Sequence, residues 1–321
     1  MSEALHVPGQ EGADRETFRR DVLGGLRREA REIPCKYLYD ERGSALFEEI
    51  CDVEEYYPTR TEIGIMEARI DEMAEQLGPA CLVVEYGSGS SRKTRLLLDA
   101  LEDPVAYVPI DISADALRAS SASLVVRYPQ LDILPICADY TEKFELPTPS
   151  REPDHRVVYF PGSTIGNFSP AEASGFLASM ADVASVDGSL LVGVDLKKDS
   201  DVLERAYDDA RGVTADFNRN LLTRINRELG ADFPLENFRH EARYDDVASR
   251  VEMHLVAESS CTVTIEGEAF VFGAGQSIHT ENSYKYDPPG FAKLAAEAGL
   301  RVRRMWTDPD ELFSVQYLTT A

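Results

Sequence analysis

Two short stretches carry the residue types that do chemistry. In "VVEYGSGSSRKT", positions 83–94, an apolar run stops at Glu85 and passes into Gly87, Gly89, several hydroxyls and Lys93. In "HTENSYKY", positions 279–286, Glu281 and Ser283 stand two apart, so a strand would send a carboxylate and a hydroxyl to one side, where they could meet the two nitrogens of one imidazole. A plain edge strand with solvated polar residues would read the same way. The glycine turn has three possible uses: cradling a nucleotide's phosphates, holding another adenosine ligand, or packing. The phosphate-loop register G-x-x-x-x-G-K-[ST] fails, and the dinucleotide pattern G-x-G-x-x-G fails because position 92 is Arg. What remains is E-x-G-x-G followed by Ser and Thr. That pattern suits an adenosine carrying a small charged chain instead of phosphates, as in S-adenosylmethionine (SAM).

Two further acids fit the same ligand. Asp111 closes "VPIDIS" and Asp139 closes "ICADY", followed by Tyr140. The first could accept from both ribose hydroxyls and the second from the adenine amine, with the tyrosine ring against the base. Each could equally be a helix cap. The run "VVYFPGSTIGNFSP" adds Thr164 and Asn167 in a small-residue segment, which is either one wall of a substrate pocket or a polar turn.

These stretches need elements to position them. From Cys81 to Leu196 five apolar runs alternate with helical patterns, which predicts βαβ units and a parallel sheet of the open doubly wound class, with ligands outside the carboxyl ends of the strands. "DILPICADY" is read as one of these runs. After Lys197 the pattern changes. Val213, Phe217, Leu221, Ile225 and Leu229 make one helical stripe, and "RVEMHLVA", "CTVTIEGEAFVF" and "QSIHTENSYKY" alternate as antiparallel strands do. Earlier, Pro58 is read as halting regular structure with Thr61 capping the next helix, and of the adjacent Tyr56 and Tyr57 at least one is expected to face a cleft. The expected division is 1–62 with 197–285 as a second, α+β domain, and 63–196 with 286–321 as the doubly wound domain. The first fifteen or so residues are expected to be mobile.

With 33 Lys and Arg against 57 Asp and Glu, the net charge of -24 speaks against nucleic acid and anionic lipid as partners. No apolar stretch reaches the roughly 20 residues of a membrane helix, and the start lacks a signal-peptide pattern, so the expectation is a cytoplasmic protein. The five cysteines, Cys35, Cys51, Cys81, Cys137 and Cys261, form no C-x-x-C pair and are expected to be buried, reduced packing residues. The five histidines show no metal-ligand spacing, and no metal is expected.

"YLYDERGSALFEEICDVEEYYPTRTE", "VVEYGSGSSRKT", "FPGSTIGNFSP", "YDDARGVTADFNRN" and "HTENSYKY" together resemble the L-histidine Nα-methyltransferases of ergothioneine biosynthesis, from about residue 17 to the C-terminus. The resemblance implies a Rossmann-like SAM-dependent methyltransferase domain with a second, substrate-binding domain. It implies trimethylation of L-histidine to hercynine, with S-adenosyl-L-homocysteine as the other product. Cofactor contacts fall on Gly87, Lys93, Asp111, Asp139 and Tyr140, and substrate contacts on Tyr56, Asn167, Tyr207, Met253, Glu281, Asn282 and Ser283. Tyr39, Phe47 and Thr164 line the same pocket. The expected mechanism is direct in-line transfer to the neutral α-amine, with positioning by Asn167, Thr164 and Tyr39, no side chain as acid or base, and the proton leaving through water. A monomer acting on a small molecule is expected. The alternatives are an N-methyltransferase of another amino acid or amine, such as tryptophan, and a SAM-binding protein without turnover.

Overall fold

The protein is described by a computed structural model that covers residues 10–89 and 91–320, with side chains described from residue 15 onward. Most of the segment expected to be mobile lies outside the described residues. Helix α1 (Gln10–Leu26) comes first and α2 (Glu41–Cys51) follows. Helix α3 (Tyr57–Leu77) contains Pro58 in its first turn, so the proline starts this helix instead of ending what precedes it. A first-turn proline removes an amide that would have no partner there anyway.

The chain then alternates: β1 (Cys81–Tyr86), α4 (Arg92–Ala100), β2 (Ala106–Asp111), α5 (Ala114–Arg127), β3 (Asp132–Ile133), β4 (Ile136–Cys137), β5 (His155–Phe160), α6 (Pro170–Ala184) and β6 (Ser189–Asp195). The single run expected over "DILPICADY" is two short strands, broken where Leu134 and Pro135 leave the ladder. Helices α7 (Ser200–Tyr207) and α8 (Val213–Leu229) precede β7 (Phe238–Asp245), β8 (Arg250–Ala257), β9 (Cys261–Ile265), β10 (Glu268–Phe272) and β11 (Ser277–Tyr284). Helix α9 (Pro288–Glu297) and strands β12 (Leu300–Thr307) and β13 (Phe313–Thr320) finish the chain.

Two compact units emerge: residues 1–56 with 200–282, and residues 57–199 with 283–321. In the second unit the sheet order is β12-β13-β6-β5-β1-β2-β3, with β4 also on β2. Strands β3, β2, β1, β5 and β6 run parallel, while β13 and β12 are antiparallel additions at one edge. Leu82, Val84 and Tyr86 pack with Leu177 and Met180 of α6 and with Phe291 and Leu294 of α9. Cys81 and Val83 point the other way, toward Met66 and Met73 of α3 and Leu97 of α4. A sheet covered on both faces has little use for polar alternation, which is why its strands read as unbroken apolar runs. The path leaves β1 toward β2 on one side and β5 on the other, and this reversal is where open α/β sheets bind ligands.

In the first unit α8 lies against α2 and against the sheet of order β11-β8-β7. Strands β9 and β10 form a hairpin whose two-residue turn, Glu266 and Gly267, has φ of 50° and 86°, the left-handed pair that such tight hairpins require. Of the cysteines, Cys81 is buried and the other four are half-buried, less enclosed than expected.

Candidate active site

The glycine turn leaves β1 at the strand-order reversal. Gly87 and Gly89 have φ of 71° and 43°, and Ser91, at the start of α4, has φ 58°; two of these three left-handed residues are glycine because a Cβ is strained there. The Gly87 amide donates to the Ile110 carbonyl at 2.8 Å, which ties the turn to the end of β2. Asp111, the last residue of β2, accepts from the Ser113 amide at 2.9 Å and from the Gly89 amide at 3.4 Å. Burial raises its pKa, against the pull of those amides. Tyr140 packs edge-on to Tyr86, and a Cβ on Gly87 would stand 3.8 Å from its ring. Asp139 accepts from the Thr141 amide at 3.0 Å.

This neighbourhood fits an adenosine ligand on its own evidence. The Ser88 and Ser91 hydroxyls are buried without a hydrogen-bond partner, which is costly unless something else supplies one. Asp111 adds an acceptor, and Tyr140 a ring. Lys93 has a different first partner from the one its position implied. Its ammonium lies 2.6 Å from Glu62 of α3, whose carboxylate also accepts from the Gly162 amide at 2.9 Å. Any cofactor contact through Lys93 is made in addition to that ion pair.

Beneath the turn, Glu85 is 1% exposed. It accepts from Thr94 Oγ1 at 2.7 Å and from the Tyr107 hydroxyl at 2.6 Å. Burial pushes its carboxyl up to about 7, and the two hydroxyls only partly oppose this.

The loop after β5 turns sharply through Gly162 and Ser163, both left-handed at φ 78° and 57°, into a 3-10 turn over Thr164–Asn167. Helix α6 then starts on a capping box. Glu172 accepts from the Ser169 amide at 2.9 Å, Ser169 Oγ accepts from the Glu172 amide at 3.4 Å, and Pro170 takes the first position. So Asn167 sits between two locally determined turns. Ser163 Oγ accepts from the Asp195 amide at 2.9 Å, which pins the loop to the end of β6.

Asp195 is the centre of a second polar cluster. Its carboxylate takes Lys198 at 2.6 Å, Lys285 at 2.7 Å and the Tyr57 hydroxyl at 2.8 Å, and Lys198 also donates to the Tyr57 oxygen at 2.7 Å. Burial would raise the Asp195 pKa, but the charges of Lys285 and Lys198 reverse that and hold it below its ordinary value. Burial lowers Lys198 to about 8 despite that carboxylate. Lys285 donates to Ser283 Oγ at 2.8 Å.

In the first unit, five aromatic rings meet. Tyr39 stands 5.5 Å from Phe47 and 5.4 Å from Phe217; Tyr56 stands 6.2 Å from Phe47 and 6.0 Å from Tyr207. The structure therefore brings Tyr39, Phe47, Tyr56 and Tyr207 together. Burial holds the Tyr56 hydroxyl well above its usual pKa, and the charges of Tyr207, Cys51, Tyr39 and Glu281 add to it. Glu281 and Ser283 are both buried on β11, and Asn282 between them is turned to the other side by the strand's pleat. Met253 is buried in β8, and its carbonyl accepts from Thr280 of β11 at 3.1 Å. Tyr56 and Tyr57 are both buried, contrary to the rule that adjacent residues diverge, because helical geometry begins only at Tyr57.

Several residues escaped the sequence reading. Phe217 was read only as part of a stripe, yet its ring touches both Tyr39 and Phe47. His240 Nε2 lies 2.8 Å from the Tyr207 carbonyl and Nδ1 2.9 Å from Asn218 Nδ2. A carbonyl only accepts and an amide nitrogen only donates, so His240 is neutral with its proton on Nε2, and burial lowers its pKa in keeping. Glu62 and Lys285 lay inside quoted motifs without a role assigned to them, and Lys198 lay in none. Among the described residues no group of three or more His, Cys, Asp or Glu could hold a metal, and no helix is long and apolar enough to cross a membrane.

A family model described as a histidine-specific, SAM-dependent methyltransferase matches residues 18–320. A histidine N-alpha-methyltransferase of Mycolicibacterium smegmatis is 44% identical over 300 residues, covering 92% of each chain. One of Mycobacterium tuberculosis is 42% identical over 304 residues, covering 93% of each. A 4-dimethylallyltryptophan N-methyltransferase of Aspergillus fumigatus is 27% identical over 305 residues, covering 90% of this chain and 89% of that one. With its glycine turn at the strand-order reversal and a family match over almost its whole length, this chain belongs to the histidine-specific, SAM-dependent methyltransferases.

Proposed function

We propose that this protein methylates the α-amine of free L-histidine three times, giving hercynine, and that this opens a route to ergothioneine. SAM supplies an activated methyl group on its sulfonium. The protein's own work is then positioning. Gly87, Asp111, Asp139 and Tyr140 hold the adenosine, with Lys93 and Glu62 fixing the Gly162 loop. Tyr56, Asn167 and Tyr207 hold the amino-acid part, and Glu281 and Ser283 hold the ring. Tyr39 and Thr164 help position the amine, which loses its proton to water before each in-line attack.

One observation carries the substrate assignment: β11 buries a carboxylate and a hydroxyl two residues apart in a chain with this family match. An imidazole supplies partners for both. An indole has one N–H donor and no ring acceptor, so it cannot pair with both groups, at about 1 to 3 kcal/mol, and tryptophan is rejected by about tenfold or better. A monomer working in the cytoplasm completes the reading.

The test is a substrate panel with methyl-labelled SAM and mass analysis of the products. Histidine is expected to gain three methyl groups, with tryptophan and biogenic amines at least tenfold slower. Faster turnover of tryptophan or of an amine would assign the enzyme to that substrate. Asn167→Ala is expected to release mono- and dimethylated histidine, since the site must retain each partly methylated amine; an unchanged product pattern removes Asn167 from that role.

A further inference from the structure

Lys285 is 2% exposed, and nothing in the methyl transfer uses it. Holding Asp195 ionised is only part of its role, because Lys198 and the Tyr57 hydroxyl also engage that carboxylate. The cluster thus places two ammonium groups on one carboxylate. The second cation has another contact, Ser283 Oγ at 2.8 Å. An ammonium has three N–H groups and no lone pair, so it donates to Ser283 and occupies one lone pair of that oxygen. Its charge also drives the hydroxyl proton away from itself and strengthens that proton as a donor. The hydroxyl stands beside the substrate loop: a Cβ on Gly166 would lie 3.5 Å from Ser283 Oγ and 2.7 Å from the Tyr284 carbonyl. Gly166 adjoins Asn167, so the oxygen that Lys285 polarises is at the wall of the 164–167 turn.

We propose that Lys285, held by Asp195, is a positioning residue that makes Ser283 a one-way hydrogen-bond donor and so selects a substrate ring offering a bare nitrogen lone pair. The inference rests on the assignment of Ser283 to the substrate ring and adds the source of its selectivity. A ring with only carbon, sulfur or N–H toward Ser283 gives that donor no partner. An N–H aimed at the same oxygen meets the positive field of Lys285 instead.

The test is calorimetric titration of the full chain, saturated with S-adenosyl-L-homocysteine, with L-histidine and with 3-(2-thienyl)-L-alanine, whose ring has similar shape and no nitrogen. Lys285→Met removes donor and charge, while Lys198 and Tyr57 still serve Asp195. It is expected to weaken histidine about tenfold, the scale of one charge-assisted hydrogen bond, and to change thienylalanine by less than about twofold. Ser283→Ala is expected to match it. Lys285→Gln, which keeps a neutral donor, is expected to lose about threefold on histidine alone, and it carries the test if the methionine variant does not fold. A histidine-to-thienylalanine ratio unchanged in Lys285→Met or Lys285→Gln, with Ser283→Ala lowering it, overturns the role of Lys285 and leaves the ring assignment standing. A ratio unchanged in all three overturns both.

Discussion

Glu85 and Asp195 are carboxylates buried to the same degree near the carboxyl ends of two strands of one sheet, yet they hold their protons in opposite ways. Glu85 has two hydroxyl donors and is pushed up to about 7. Asp195 has two ammonium groups and a tyrosine, and stays below its ordinary value. Burial penalises both charges; at Asp195 the two ammonium groups reverse it, while at Glu85 the two hydroxyls reduce the penalty without removing it. The division suits their places. Below the glycine turn, an acid able to turn neutral ties β1, β2 and α4 together without adding a fixed charge. At the end of β6, a permanent anion holds the lysine that reaches Ser283.

The sharpest way to break the comparison is to delete the fixed anion. Asp195→Ala leaves Lys198 and Lys285 uncompensated, and chemical denaturation at pH 7 should show a loss of about 3–5 kcal/mol. A loss below about 1 kcal/mol would mean that the lysines do not depend on it. Next is Lys93→Met, which strips the cation from Glu62 and leaves that buried carboxylate with the Gly162 amide. A loss of about 2 kcal/mol is expected in the same measurement, together with weaker SAM binding as the Gly162 loop loosens.

An effect of about the same size as that of Lys93→Met should come from Glu85→Gln, but only at one end of the pH range. The folded pKa of Glu85 lies above its unfolded value, so its contribution is full below about pH 4.5 and is lost as pH rises toward about 7. The variant should therefore match the wild type near pH 4.5 and exceed it by about 1–3 kcal/mol at pH 8. A constant difference across pH would show that Glu85 titrates alike in the folded and unfolded protein. Asp195 has the opposite sign: its folded pKa is lowered, so its contribution is present above about pH 4 and is lost as pH falls below that.

The contrast also marks what the sequence could show. The parallel sheet was legible because strands buried on both faces print as apolar runs, as "CLVVEY" does, and α8 was legible from its every-fourth-residue stripe. The positions of Gly87, Asp111 and Asp139 at strand ends were legible from the apolar runs: Gly87 follows β1, Asp111 is the last residue of β2, and Asp139 lies two residues beyond β4. Glu62, Lys198 and Lys285 were not, since their meaning lies in contacts across the fold: Glu62 meets Gly162, a hundred residues on. Pro58 misled because the same residue starts and stops helices, and only its position within α3 decides which. The break between β3 and β4 has no apolar signature, since Leu134 and Ile136 keep the hydrophobic pattern through the proline.

The central claim, that the polar residues of β11 recognise free histidine, is tested most directly by titrating L-histidine into the wild type and Glu281→Ala, each saturated with S-adenosyl-L-homocysteine. The account predicts clear binding by the wild type, weakened about tenfold or more in the variant. Equal affinity in both proteins, or no binding of histidine to the wild type, would contradict it.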